Sequence, residues 1–440
     1  MANGNEARMG LELELFTVAR DGSIVNKGMA LKRKSQEKVR KHLVSGELGE
    51  HQIEIITDPK AHVAKSFLQV LDTIEHVIEA AKKLEVLLYP YGTHPGEFEP
   101  TFRKKKWYEI KEQLVGTDKF KIASMCSAFQ FHYSLSRSVF DRGSGTIKVS
   151  RKEKSNVRTV SLYNFLIAAD PVVATLMQSS PFMQGYHIAK DSRVIYYRGG
   201  ENLRHEGLHS EFQLFGGLQP YINTVTDILR LIEKRYDVWR SQLLMHGFDP
   251  AVIHKYGKKL DYSWNPIKIN KVGTFEIRGM DMNLPSYCLG MSYLLQEALH
   301  RVNREELVVP PSDIGIHKPF TVEKNKLYIP PESMVHAVLQ YSSAVDGLKD
   351  PQIYDYCKAF VKFALETSPK KEHVLASRIG KILEKGQTVS DEMLRQIKDE
   401  KIDLKKKLNS RAAKKFATDW CYHVMPDLQL TRKLLERAGY

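Results

Sequence analysis

Four short segments of this chain alternate between apolar and polar residues, and the polar positions of three of them carry glutamate. Residues 9–18 read MGLELELFTV, residues 50–57 EHQIEIIT, residues 126–135 CSAFQFHYSL and residues 273–278 GTFEIR. Strict alternation marks a strand, in which residues two apart share a face. Glu12 and Glu14 therefore share one face, while Leu11, Leu13 and Leu15 take the other. Glu50, Gln52 and Glu54 oppose Ile53 and Ile55. Gln130, His132 and Ser134 oppose Phe129, Phe131, Tyr133 and Leu135, and Thr274, Glu276 and Arg278 oppose Phe275 and Ile277. Each strand offers one apolar face to a core and one face bearing carboxylates, an amide, an imidazole or a guanidinium.

A solvated antiparallel sheet accounts for such a pattern strand by strand. It would also mix its charges, because like charges opposite one another destabilise a sheet. This chain holds 66 Lys and Arg against 52 Asp and Glu, a formal charge of +14, yet its strand faces collect glutamate. Crowded carboxylates need a counter-charge. Hard divalent cations supply one through oxygen ligands and leave positions open for phosphates, so the pattern predicts a sheet face that binds Mg²⁺ or Mn²⁺. A positive set accompanies it: Arg193 and Arg198 frame DSRVIYYRGG, and Arg278 closes GTFEIR. Guanidinium forks suit carboxylates and phosphates.

The remaining sequence places this face in a larger frame. Apolar residues recur at helical spacing over 67–87, and apolar runs at 162–177 and 222–244 read as helices. Beyond about residue 280 strand signals are sparse, and helices are predicted to start at Ser286, Pro331, Pro351, Pro369 and Ser390. The expected division is a mixed unit over residues 1–310 and a helical, lysine-rich region over 311–440. A hydrophobic content of 42% supplies a core and excludes disorder of the whole chain. The four cysteines, Cys126, Cys288, Cys357 and Cys421, form no CxxC pair, which excludes a zinc ribbon or disulfide scaffold and fits a reducing, cytoplasmic setting. No stretch is expected to reach the roughly 18 apolar residues of a membrane span, and the polar start carries no hydrophobic signal core. The basic runs at 32–40, 103–106, 148–154 and 401–415 are scattered, so a nucleic-acid partner is not favoured over a solvated basic exterior.

Taken in order, seven motifs resemble the glutamate–cysteine ligase family of the GCS2 type, carboxylate–amine ligases of the glutamine synthetase superfamily. They are GLELELF at 10–16, GELGEHQIEIITDP at 46–59, YGTHPG at 91–96, FQFHYSL at 129–135, SSPFMQG at 179–185, Ser192-Arg193 followed by Tyr197-Arg198, and WNPIKINKVGTFEIRGMD at 264–281. The central strand departs from the family's HVH, carrying Gln130 before His132. Asn265, Pro266 and Lys268 stand in a stretch where the family often has an arginine.

The resemblance implies an α+β fold: a curved antiparallel sheet with a polar concave active-site face, helices packed on the outer face, and a mostly helical C-terminal region. It implies ATP as co-substrate, a glutamate-like acidic amino acid, an amine substrate and Mg²⁺ or Mn²⁺. The expected reaction is amide formation through an acyl phosphate. The expected metal ligands are Glu12, Glu14, Glu54 and Glu276, followed by Glu47, Glu50, Gln130 and His132. Glu276 and Arg278 are the expected catalytic pair, Arg193 and Arg198 the substrate arginines, and Lys268 with Arg278 the contacts to ATP. Two other readings remain at this point: a degenerate ligase fold kept as a nucleic-acid-binding or regulatory protein, and a Mg²⁺-dependent phosphotransferase of the guanidino-kinase kind. A homo-oligomer is compatible with all three.

Overall fold

The computed structural model describes residues 7–256, 258–311 and 318–440. Its centre is a seven-stranded antiparallel sheet. In chain order the strands are β1 (Met9–Ala19), β2 (Val44–Gly46), β3 (Gln52–Ile56), β4 (Val86–Tyr89), β5 (Ala128–Ser134), β6 (Ile267–Asn270) and β7 (Thr274–Asp281). They lie in the order β6-β7-β5-β1-β3-β2. Phe16 pairs with Gln52 on one side and Tyr89 on the other, so β4 extends the same edge of β1 that β5 occupies nearer its start.

Register fixes which side chains meet. Residues directly opposite in an antiparallel pair share a face. Glu14 stands opposite Glu54, Glu12 opposite Gln130, Glu276 opposite His132 and Lys268 opposite Glu276. One polar row thus crosses the sheet from Lys268 on its β6 edge to Glu54 on β3. In β7 the register slips between Ile277 and Met280, so Arg278 and Gly279 together face Gln130. Such a bulge flips the faces of everything beyond it. Met280 turns into the core, and Asp281 joins the polar face. A Cβ at Gly279 would sit 2.2 Å from Asp170 Oδ1, so only glycine allows this crossing.

The apolar face is buried by α1 (Val63–Lys83), α3 (Glu153–Met177) and α4 (Pro285–Arg304), while α2 (Lys106–Val115) borders the polar side. In α1, Phe67, Val70, Leu71, Ile74 and Val77 are all buried, as 3.6-residue spacing requires. The ring of His62 accepts from the Ala64 amide and caps its start. Asn303 on α4 donates to the Tyr133 hydroxyl, tying β5 to the helix layer.

Helix α3 corrects one expectation. It contains an 18-residue window of mean hydropathy 1.5, long and apolar enough to cross a membrane, and that window is wholly buried in the protein. Its residues pack on Phe275, Phe320, Phe360 and Phe363, so its apolarity belongs to a core helix. The helices beyond residue 318 share that core with the sheet. Tyr356 donates to the Ala168 carbonyl at 2.6 Å, and Asp427 accepts from both the amide and the hydroxyl of Ser286. The expected boundary at 310/311 abuts residues 312–317, which lie outside the described residues.

Candidate active site

A cavity of about 470 Å³ opens on the polar face of the sheet. Its walls include Glu12, Glu14, Glu47, Glu54, Gln130, Arg193, Lys268, Glu276 and Arg278. Sequence alternation therefore brought most of the expected residues to one place, but the structure sorts them into two groups.

The first group is Glu14, Glu47 and Glu54. Each offers a carboxylate oxygen, and the three oxygens lie within 4.8 Å of one another. Glu14 accepts from the Ala128 amide at 2.6 Å and from Gln130 Nε2 at 2.7 Å. Glu47 arrives from the loop after β2, which Arg103 clasps by donating to the carbonyls of Gly46 and Glu47. Among the described residues no Lys, Arg or His forms an ion pair with any of the three. Burial, together with the charge of Glu47, pushes Glu14 up to about 8. Burial and the neighbouring carboxylates also raise Glu47, and raise Glu54 far above the ordinary range.

The second group is Glu276 and its cations. Arg278 Nη1 lies 2.6 Å from Glu276 Oε1, Lys268 Nζ lies 3.8 Å from Oε2, and Asn270 donates to Oε2 as well. Burial alone would raise Glu276, but Lys268, Arg278 and His132 outweigh it and hold the carboxyl at about 2. Arg278 gains in turn: burial disfavours its charge, and Glu276 more than compensates. Between the groups, His132 Nε2 lies 3.2 Å from Glu12 Oε1 without hydrogen-bond geometry, and His132 Nδ1 meets Thr274 Oγ1 at 3.1 Å. Burial lowers His132, but Glu12 prevails and raises it. His132 stands behind the wall rather than in it.

Glu50 and Arg198 stand apart from both groups. Glu50 does not line the cavity, because β3 begins only at Gln52 and Glu50 lies in the preceding turn. Gln52 itself turns its amide to the Cys126 carbonyl at 2.7 Å. Arg198 borders the cavity, yet its fork is spent. Nη1 and Nη2 bind the buried Asp170 at 2.5 and 2.9 Å, and Nη1 also meets Gln340 at 2.9 Å. Arg193 differs: Nη2 donates to the Arg278 carbonyl at 2.8 Å, and Asp281 lies 3.9 Å from Nη1.

Three features escaped the sequence. Asp281 reaches the polar face only through the bulge, where it takes the Ser179 amide at 2.8 Å and faces Arg193. Lys111 on α2 lies 4.0 Å over the ring of Trp264 and 5.0 Å over Trp107. Burial, with Lys268 and Arg278 nearby, drives its ammonium well below the usual lysine range. Trp107, Trp239, Trp264 and Phe215 form an aromatic wall beside it. The spacing of Trp107 and Lys111, four apart on a helix, was the one available signal.

With this geometry in hand, comparison with known proteins gives a family. The sequence profile of glutamate–cysteine ligase family 2 (GCS2) matches residues 8–408, and the chain belongs to that family of ATP-dependent carboxylate–amine ligases. A comparison with curated proteins finds no match. Among solved structures, the glutamate–cysteine ligase of Francisella tularensis, solved with AMP, is 11% identical. It aligns with a TM-score of 0.59 over 99% of this chain and 93% of its own. A bifunctional glutathione synthetase from Pasteurella multocida is 12% identical with a TM-score of 0.53, matching 95% of this chain but only 52% of its own length. At these identities the structural likeness speaks for the fold.

Proposed function

We propose that this chain joins a glutamate-like acid to an amine at the sheet cavity, using ATP and passing through an acyl phosphate. The observation that carries this reading is the division of the cavity wall: an unpaired carboxylate trio stands beside a fixed array of Arg278, Lys268 and Arg193.

The trio fits a hard divalent cation. Its donors are all carboxylate oxygens, no cation among the described residues forms an ion pair with them, and Gln130 Oε1 is buried beside them without a partner. Glu14, Glu47 and Glu54 would hold Mg²⁺, with Gln130 next to them. Bound there, Mg²⁺ supplies neutralisation of the polyphosphate and polarisation of the transferring group. Glu12, set between trio and Glu276, is the fourth candidate ligand, and Glu276 serves instead to hold Arg278.

The chain's own groups account for the rest. Arg278, locked by Glu276, presents a fixed guanidinium to the transferring phosphoryl group without reorganisation during reaction. Lys268 adds charge toward the nucleotide phosphates. Arg193, steadied by Asp281, grips the acid substrate. In the first step a substrate carboxylate oxygen bonds to the γ-phosphorus while the bond from that phosphorus to the bridging oxygen breaks, releasing ADP. In the second the amine nitrogen bonds to the acyl carbon, phosphate leaves with its oxygen, and the amine gives up a proton. Positioning and charge neutralisation carry the catalysis.

The test is ADP release from Mg·ATP with glutamate and related acids, with and without a panel of amino acid amines, read with product mass. Amine-dependent ADP and a product weighing acid plus amine less one water are expected. Absence of amine-dependent ADP across the panel overturns the proposal, and a phosphorylated product without an amide would point to the phosphotransferase alternative.

A further inference from the structure

A second cavity shares no lining residue with the first. It measures about 280 Å³ and is walled by Tyr91, Tyr287, Arg378, Glu392, Trp420 and His423. These residues come from the loop after β4, from the start of α4 and from the helices Ser377–Lys385, Val389–Asp399 and Ser410–Cys421 with the turn that follows. From this cavity we infer a binding site for a small zwitterionic amino acid with an apolar side chain, acting as a regulator of the sheet cavity. The regulatory part rests on the function proposed above, whereas the binding part does not.

Charge is the first argument. Arg378 Nη2 donates to the Tyr287 hydroxyl at 2.5 Å, and the guanidinium carbon lies 4.4 Å from the centre of that ring. Its Nε is buried and has no partner. Among the described residues Arg378 forms no ion pair, nor does Glu392. The cavity's other carboxylate, Asp427, is already taken by the Ser286 amide at 2.7 Å and hydroxyl at 2.5 Å. Arg378 and Glu392 thus face the same space with no ion pair between them, and Asp427, within reach of the Arg378 charge, is held by Ser286. A ligand carrying a carboxylate for Arg378 and an ammonium for Glu392 satisfies both. A singly charged ligand leaves one of them stranded.

Shape is the second argument. Tyr91, Tyr287, Trp420 and Met393 make most of the wall apolar. A volume near the lower end of the range for ligand sites, about 300 Å³, admits an amino acid more readily than a nucleotide.

The connection to catalysis runs through one loop. Tyr91 walls the second cavity, and its hydroxyl meets His423 Nδ1 at 3.0 Å. Its neighbour Gly92 packs so closely on Asp281 that a Cβ would lie 2.5 Å from the carboxyl carbon. Asp281 lies 3.9 Å from Arg193, which lines the sheet cavity. An occupant that shifts Tyr91 therefore shifts the residue that positions Arg193.

Calorimetric titration with L-methionine, L-leucine and L-phenylalanine, each beside its methyl ester and its N-acetyl derivative, tests this. Binding of at least one free amino acid is expected, at least tenfold weaker for both derivatives and for Arg378→Met and Glu392→Gln. Arg193→Gln should leave it unchanged. Glu392→Gln touches no hydrogen bond of the fold and keeps the test open if Arg378→Met fails to fold. No binding by the intact chain at millimolar ligand, or equal binding by a folded cavity variant, overturns the site. If the ligase assay succeeds and binding leaves the KM for the acid unchanged, the regulatory part falls alone. If the ligase assay fails but the titration succeeds, the binding site stands without it.

Discussion

Replacing Glu14 by glutamine removes one ionisable carboxyl from the trio and nearly nothing else. The new side chain keeps an oxygen for the Ala128 amide, which now donates at 2.6 Å. Its amide nitrogen would face Gln130 Nε2, but Gln130 can rotate, because its Oε1 has no partner to lose. The amide pair then closes with a hydrogen bond, and no cavity forms. What changes is electrostatic. Glu14 is raised from the usual 4.5 to about 8. A carboxyl raised on folding favours the folded state below its unfolded value, and that contribution is lost as pH climbs through the folded value. Between pH 4.5 and 8 the folded chain holds a proton that the unfolded chain has released, so stability falls by about 1.4 kcal/mol per pH unit.

Taken alone, Glu14 would forfeit about 5 kcal/mol across that window. The trio shares its protons, so one substitution recovers a part, about 2–3 kcal/mol at pH 8.5. The assay is equilibrium urea unfolding in EDTA, intact chain against Glu14→Gln, at pH 5 and pH 8.5. The two should nearly coincide at pH 5, and the variant should be the more stable at pH 8.5. In the same variant, stabilisation by millimolar Mg²⁺ and ligase activity should both largely vanish. Equal pH dependence in the two chains would refute the claim that Glu14 is a buried, repelled carboxyl.

Two further substitutions separate the arginines. Arg198→Met should destabilise the fold by about 3–5 kcal/mol in urea, because Asp170 is left charged and buried. It should leave the KM for the acid unchanged in the folded fraction, and a raised KM at full stability would return Arg198 to substrate binding. Arg278→Lys keeps the charge but loses the guanidinium held by Glu276 at 2.6 Å, and kcat should fall by about 10²-fold or more at unchanged thermal midpoint. A change of less than threefold would remove Arg278 from the phosphoryl-transfer site.

The sheet was legible where alternation was long. β1 runs eleven residues and β5 seven, and both strands lie where their pattern puts them. β3 was legible only from Gln52 onward, because the polar residues before it belong to a turn, and alternation of letters does not reveal where hydrogen bonding starts. Glu47 was placed in the cavity by a motif, not by periodicity: β2 is three residues long, and a clasp by Arg103, distant in sequence, fixes its loop. Asp281 was illegible because one inserted residue reverses the parity of every position after it. Lys111 hid in a basic stretch, where lysines ordinarily face water, and only the tertiary approach of Trp264 buries it.

The two glutamate groups line the same cavity and differ most in which cations the chain itself sets against them. Glu276 is given Arg278 and Lys268, so its charge is settled before any ligand arrives. Glu14, Glu47 and Glu54 form no ion pair among the described residues, although the chain carries a surplus of +14. Net charge cannot relieve them, since screening confines a surface lysine's influence to about 10 Å or less. On the function proposed above, a divalent cation would relieve their repulsion by replacing the protons they otherwise share. Affinity for the cation would then rise with the same repulsion that lowers the stability of the empty chain. A variant that relaxes the trio cannot keep both, which is why gain of stability and loss of Mg²⁺ response should appear together in Glu14→Gln and not in any substitution around Glu276.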